Sequence, residues 1–257
     1  MFRITFFGTG NGMGDAQRES TFFLVQHERT NTTILVDVGG APWSQLARVG
    51  VKADQLTALL LTHAHPDHIY GLPALIQSLW LAGRQTPLPV YCPQGAGATV
   101  TGLLDLFGLR HKPGIFAIEI QEQPLHGVTP LFTRDGITMQ TFAARHGVPT
   151  MGFVCEAQRS GVAKRIVYSA DSEYNPELEV LAKHARCLIH ECNAAQKAQG
   201  KHSSLLDVLD LMKKAAPQQV VLVHLTEGED YQRVLHEHSL GVPQVIVASD
   251  SMTLMIE

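Results

Sequence analysis

The chain has 257 residues, 45% of them hydrophobic and 17% charged, with a formal net charge of -4. That composition belongs to a globular protein with a sizeable core and excludes a disordered or low-complexity chain. The scattered Lys and Arg give no sequence-level basic face for long-range capture of nucleic acid, and no apolar run approaches the roughly 20 residues of a membrane-spanning helix. Cys92, Cys155, Cys187 and Cys192 form no CxxC pair and read as buried or free thiols.

In chain order, runs rich in apolar and β-branched residues at Phe2 to Phe7, Thr21 to Gln26 and Thr33 to Val38 read as a three-stranded meander. The first of these stands where a signal peptide would, so the expected location is the cytoplasm. A fourth strand, Leu56 to Leu61, runs directly into a His-rich segment, and Ile69 to Leu81 then carries apolar residues at helical spacing. Strand Leu88 to Tyr91 and a helix near Ala96 to Phe107 follow, then several strands between Phe116 and Tyr168, broken at Gly127, Gly136 and Gly161. The last third alternates as in βα units: helix near Pro176 to His184, strand Cys187 to His190, helix Ser204 to Ala215, strand Gln219 to His224, and strands near Val245 and Thr253. Ser204 with Asp207 three residues on marks a helix start, and Pro217 its end. With no linker and no fixed-period repeat, residues 1–257 read as a single domain.

The His-rich segment is Thr62-His63-Ala64-His65-Pro66-Asp67-His68. His63 and His65 stand two apart in extended chain, so both rings can point to one side and grip one ion. Asp67 and His68 follow where the chain turns into the helix, which lets them face a second ion. An H-x-H-x-D-H run arises by chance in about one such chain in a thousand. Each ion wants about four protein or water ligands, so others must come from later in the chain. Open α/β sheets place functional groups at the carboxyl ends of strands. Three residues qualify: His146 after Ile137 to Ala144, Asp171 after Arg165 to Ala170, and His224 after Gln219 to Val223.

Together with further segments, these residues resemble the ribonuclease Z branch of the metallo-β-lactamase superfamily, in a short form. The further segments are Gly8-Thr9-Gly10, Leu35-Val36-Asp37-Val38-Gly39, His146-Gly147 with Gly152-Phe153, Ser169-Ala170-Asp171-Ser172, Ile189-His190-Glu191, His202-Ser203-Ser204 and Leu222-Val223-His224. The resemblance runs over nearly the whole chain and implies an α/β metallo-β-lactamase fold, a four-layer αββα sandwich of two mixed sheets with outer helices. It further implies that His63, His65 and His146 hold one metal ion, that Asp67, His68 and His224 hold the other, that Asp171 bridges them, and that Asp37 orients a ligand by hydrogen bonding. Zinc is the default for the two divalent ions, although the same ligands accept manganese or iron.

Such a site keeps a net positive charge after Asp67, Asp171 and a hydroxide are counted, which suits an anionic phosphodiester attacked by an activated water. In the ribonuclease Z pattern a Glu orients a distant His that protonates the leaving oxygen, and Glu191 and His202 match those positions. Asp67, Glu191 and His202 are thus the catalytic candidates, and the amides of the helix starting at Ser203 or Ser204 could receive a phosphate oxygen.

Two departures from the pattern bear on the substrate. The long arm that grips precursor tRNA has no room in Val154 to Arg165, where Arg159-Ser160-Gly161 reads as a hairpin turn. The family's Gly-Glu-Gly-Thr-Gln after the Asp is replaced by Val38-Gly39-Gly40-Ala41-Pro42. Both move the expectation from tRNA 3′ processing to a phosphodiesterase acting on a small nucleotide or a cyclic phosphate, as the compact phosphonate-pathway relative does, with RNA phosphodiesters kept in the expected range. That relative's Cys-bound zinc has no counterpart, since Asn11 to Ser20 lacks Cys. Rival readings are hydrolysis of a lactone or thioester, a di-iron redox site, which would need Glu in place of His65, and a non-catalytic metal-binding protein. A homodimer is an open option, which the resemblance allows and no sequence feature requires.

Overall fold

The computed structural model describes every residue except 135, 160, 161 and 239–243, so the expected turn at Arg159-Ser160-Gly161 has two residues outside the described ones. The chain divides into two compact units. The first is Met1–Gly8, Gly12–Pro124 and Ser249–Glu257; the second is Thr9–Asn11 and Leu125–Ala248.

The first unit opens with the expected meander, β1 (Phe2–Gly8), β2 (Phe22–His27) and β3 (Thr32–Val36), and continues through α1 (Pro42–Arg48), β4 (Ala58–Leu60), α2 (Pro66–Ile69), α3 (Leu72–Leu81), β5 (Leu88–Pro93), α4 (Gly97–Leu106) and β6 (Ile118–Gln123). The carboxyl-terminal strand Thr253–Ile256, β14 in chain order, returns to pair antiparallel with β1. The sheet is seven-stranded in the order β14-β1-β2-β3-β4-β5-β6. It is antiparallel through the meander and parallel from β3 onward. Helices supply the crossovers that parallel pairing requires. Leu46, Leu72, Leu75, Ile76, Leu79, Val100 and Leu104 pack with Leu24, Leu35, Leu59, Val90 and Cys92 of the strands. Each such fully buried side chain contributes about 1.5–3 kcal/mol relative to exposure.

Two details differ from the sequence reading. Helix α1 was not expected, because Gly39-Gly40 reads as a turn and the helix buries only Pro42 and Leu46. The expected helix Ile69 to Leu81 is broken, α2 ending at Ile69 and α3 starting at Leu72. Gly71 lies at the break, its N–H donating to Val38 O at 3.0 Å. A Cβ there would sit 2.5 Å from that oxygen and 2.7 Å from Gly40 O, so only glycine lets the two backbones approach.

The second unit has the same plan. Strands β7 (Thr129–Arg134), β8 (Ile137–Ala143), β9 (Met151–Arg159) and β10 (Val162–Tyr168) form an antiparallel meander. Then α5 (Pro176–Leu181), β11 (Cys187–Glu191), α6 (Leu205–Ala215), β12 (Gln219–Val223), α7 (Tyr231–His238) and β13 (Gln244–Val247) continue as βα units with β10, β11, β12 and β13 parallel. The sheet order is β13-β12-β11-β10-β9-β8-β7. Helix α6 has the capping box expected from Ser204 and Asp207 and buries Leu205, Val208, Leu209 and Met212 with Val154, Val167, Leu188, Val220 and Leu222. Helix α7 was missed because its sequence is largely polar, burying only Tyr231, Val234 and Leu235.

The four cysteines are free and buried, as expected, and burial pushes the Cys92, Cys155 and Cys187 thiols up to about 12, which leaves them inert. Among the described residues no helix is long and apolar enough to cross a membrane.

Candidate metal centre

In the first unit the His-rich segment leaves the carboxyl end of the short strand β4. The proline at 66 holds His65 in extended backbone (φ -69°, ψ 147°) and starts α2, so Asp67 falls in the first turn and His68 in the last. His63 and His68 are fully buried. The rings of His63 and His65 meet edge to face with Nε2 of the first 3.0 Å from Nδ1 of the second. Asp67 Oδ2 lies 3.1 Å from His68 Nε2.

Behind them stands Asp37, at the carboxyl end of β3 and fully buried, in the left-handed region at φ 58°, which Asp tolerates better than most residues. Its Oδ1 accepts the Thr62 N–H at 2.7 Å, its Oδ2 accepts the Thr62 hydroxyl at 2.8 Å, and the same Oδ2 is 2.9 Å from His68 Nδ1. Burial pushes this carboxyl up, while His68 and the Thr62 donors pull it back. The expected orienting role of Asp37 has this geometric support: it reaches the far side of a ligand candidate's ring.

In the second unit the candidates also lie at strand ends, His146 beyond β8, Asp171 beyond β10, Glu191 closing β11 and His224 beyond β12. One oxygen of Asp171, Oδ2, is 3.1 Å from His224 Nε2 and 4.0 Å from His146 Nε2, as a shared carboxylate would be. His224 sits at φ 58°, and Ala170, which aims Asp171, at φ 52°. Such strained backbone persists only where the surroundings hold it.

Glu191, fully buried, accepts the Ser172 N–H at 2.9 Å and lies 3.0 Å from His202 Nδ1 through the same Oε1. Burial pushes its carboxyl up, offset first by the hydrogen bond from His202. The His202 ring stacks on His224, centroids 5.1 Å apart and planes 16° apart, and lies 4.9 Å from that of His146. Single ligand atoms of His146, Asp171 and His202 fall within 4.8 Å of one another, as do those of Glu191, His202 and His224. Three of the amides expected to receive a phosphate at the start of α6 are already used. The Ser204 N–H is taken by Asp207 Oδ2, the Leu205 N–H by Ala194 O and the Asp207 N–H by Ser204 Oγ.

The donor set fits divalent metal. For His63, His68 and His146 an oxygen meets Nδ1: Thr62 Oγ1 at 3.1 Å, Asp37 Oδ2 at 2.9 Å and Lys201 O at 3.0 Å. That places the ring proton on Nδ1 and leaves the Nε2 lone pair for an ion, whereas His65 presents Nδ1 itself. Thr62 and the Lys201 carbonyl were not singled out in the sequence. A Thr before the first His is a readable signal, but a backbone carbonyl has no residue signature.

These arrangements, on this fold, are those of a metal-dependent hydrolase of the metallo-β-lactamase class, in its ribonuclease Z-like branch. The chain belongs to the family described as Anti-Pycsar protein Apyc1, which it matches over residues 2–242. It is 31% identical over 248 residues to ribonuclease Z of Mycobacterium sp. (strain KMS), a match covering 87% of this chain and 84% of the relative. It is 26% identical over 308 residues to ribonuclease Z of Anoxybacillus flavithermus, covering 98% of this chain and 97% of the relative. Among solved structures, human tRNase Z, short form, is similar with a TM-score of 0.81 at 22% identity, covering 99% of both chains.

Proposed function

We propose that the protein is a phosphodiesterase that uses two metal ions, acting on a small nucleotide, a cyclic phosphate or an RNA phosphodiester. His63, His65 and His146 would hold one ion, Asp67, His68 and His224 the other, with Asp171 shared, as the ribonuclease Z resemblance implies for a single domain. Bound divalent ions supply Lewis acidity and water activated at neutral pH. Asp37 keeps His68 in the binding tautomer, and Glu191 holds the His202 ring with its Nε2 available to the leaving oxygen.

The observation that carries this reading is the Glu191–His202 pair, stacked on the ligand candidate His224. A poor alkoxide leaving group needs a positioned acid, worth about 10² to 10⁴ in rate, whereas a lactone or thioester hydrolase does not require one here. A small substrate is favoured by the connection of β9 to β10. Pairing runs from Phe153↔Tyr168 to Arg159↔Val162, so only two residues of sequence separate the paired ends. The 308-residue match to the Anoxybacillus relative, against 257 residues here, agrees with a chain that lacks a segment the relative carries. The family description brings with it an anti-Pycsar role, which we extend to this chain. Zinc is the expected metal, the cytoplasm the expected site of action, and a homodimer an assembly the resemblance allows.

The test is turnover of bis(p-nitrophenyl) phosphate by metal-loaded protein beside a panel of lactones and thioesters, followed by precursor tRNA and 2′,3′-cyclic nucleotides. Diester and cyclic-nucleotide hydrolysis are expected. Strong lactonase without diesterase activity would overturn the proposal, and catalytic cleavage of precursor tRNA would overturn its restriction to smaller substrates.

A further inference from the structure

We infer that Asn193 is a positioning residue for His224, its side-chain amide deciding which imidazole nitrogen carries the proton. The inference rests on the assignment of His224 as a metal ligand. His63, His68 and His146 have Nδ1 against a hydroxyl, a carboxylate and a carbonyl oxygen. For His224 the group at Nδ1 is different: the amide of Asn193, with Nδ2 at 3.4 Å.

An amide has two ends of nearly equal size, one donating and one accepting. With Nδ2 toward the ring, Nδ1 is the acceptor and the ring proton sits on Nε2, 3.1 Å from Asp171 Oδ2. A proton there occupies the lone pair that a metal would need. A half-turn of the amide brings Oδ1 to the ring instead, moves the proton to Nδ1 and frees Nε2. The metal-binding tautomer of His224 therefore calls for the Asn193 amide oxygen, rather than its NH₂, at Nδ1.

The surroundings confine the motion to that amide. The Asn193 N–H donates to Ser203 O at 3.0 Å, and its carbonyl accepts the Thr226 hydroxyl. Thr226 Oγ1 in turn accepts from Asn11 Nδ2 at 2.8 Å, and the Thr226 N–H donates to the Tyr231 hydroxyl at 2.9 Å. Tyr231 then donates to Cys192 O at 2.9 Å, one residue before Asn193. The peptide is pinned at both polar atoms, so the side-chain torsions remain the free coordinate. The chain also economises: Glu191 faces His202 and Asn193, two residues on, faces His224.

The experiment compares wild type, Asn193→Ala and Asn193→Asp in metal-depleted, folded protein, with zinc affinity read by chelator competition and the His224 tautomer by ¹⁵N NMR. Asn193→Ala is expected to lower zinc affinity about 10- to 100-fold, the usual scale for losing an outer partner of a ligating His. Asn193→Asp, which only accepts, should keep wild-type affinity or better and hold the proton on Nδ1. Wild-type affinity in Asn193→Ala, equal losses in both variants, or a proton on Nε2 in Asn193→Asp would each overturn the inference. Should Asn193→Ala fail to fold, the Asn193→Asp comparison decides alone. A wild-type chain that takes up no zinc overturns the proposed function with it, so the two failures are distinguishable.

Discussion

Replacing Asp37 by asparagine removes one charge and changes almost no volume, which makes it a sharp test of the metal-ligand reading. In the structure Oδ1 accepts the Thr62 N–H at 2.7 Å, and Oδ2 faces both the Thr62 hydroxyl at 2.8 Å and His68 Nδ1 at 2.9 Å. A backbone N–H can only donate, so the oxygen of the substituted amide must stay at the Oδ1 position and its NH₂ must take the place of Oδ2. Facing that NH₂, His68 Nδ1 becomes an acceptor and its proton moves to Nε2, where a metal would bind. Loading the ion then forfeits a charge-assisted hydrogen bond, worth about 1.5–3 kcal/mol. That converts to roughly a 10- to 100-fold loss of affinity, the scale seen when such outer partners are removed. The metal-free fold should suffer little, because burial already disfavours the Asp37 charge, the Thr62 N–H keeps its acceptor, and the Thr62 hydroxyl can turn to accept from the NH₂ and donate to His63 Nδ1. The assay is chelator competition with zinc, beside denaturant unfolding of the metal-free protein. Wild-type affinity in D37N would refute the reasoning, and equal losses of affinity and fold stability would assign Asp37 a purely structural role.

His202→Ala should lower diester turnover by about 10² to 10⁴ and leave metal content unchanged, measured by steady-state kinetics and elemental analysis. Arg84, 2% exposed, donates to the carbonyls of Ala53, Leu56, Thr86 and Pro87. Arg84→Met leaves all of them without that partner and should cost about 4 kcal/mol in urea unfolding, at about 1 kcal/mol per lost bond. His190 is buried, which lowers its pKa from 6.5 to about 4. As pH falls from 6.5 to about 4 the unfolded chain binds a proton that the fold refuses, so stability drops across that window and is fully present above it. The gap is worth about 3 kcal/mol, and His190→Asn should show that much less loss between pH 7 and 4 in unfolding titrations.

How much of this was legible in the sequence depended on where each residue sits relative to a strand. His63 to His68, His146, Asp171 and His224 can be proposed as ligands from sequence because each stands just beyond an apolar run, and the carboxyl end of such a run is where a sheet exposes functional groups. Glu191 and His202 are proposed by resemblance, and the structure brings His202 Nδ1 to 3.0 Å from Glu191 Oε1. The partners that orient the rings were mostly not legible. Lys201 acts through its carbonyl, so any residue there would serve, and Asn193 lies in a loop whose path no periodicity describes. The break at Gly71 was missed because its cause is the approach of the Val38 and Gly40 carbonyls from another segment. The start of α6 is legible as a capping box, and that box takes two of its amides, those of Ser204 and Asp207, away from any phosphate.

The two sheets share one plan, an antiparallel meander that turns into parallel βα units, and this plan decides what each unit can contribute. Parallel strands put consecutive carboxyl ends side by side, so β3 and β4 bring Asp37 beside His68, while β10, β11 and β12 bring Asp171, Glu191 and His224 together. Helix α6 follows β11 and adds His202 from its approach loop, and that loop also carries Lys201 to His146. One excursion of the chain, 191–204, thus supplies groups that touch the rings of His146, His202 and His224. On the proposed ligand set, a change of length there misplaces the partners of three imidazoles together, whereas loss of one ligand leaves the remaining ones oriented. Insertions in 191–204 should therefore abolish both metal uptake and turnover, while insertions in the exposed end of α4 near Phe107 should leave both intact.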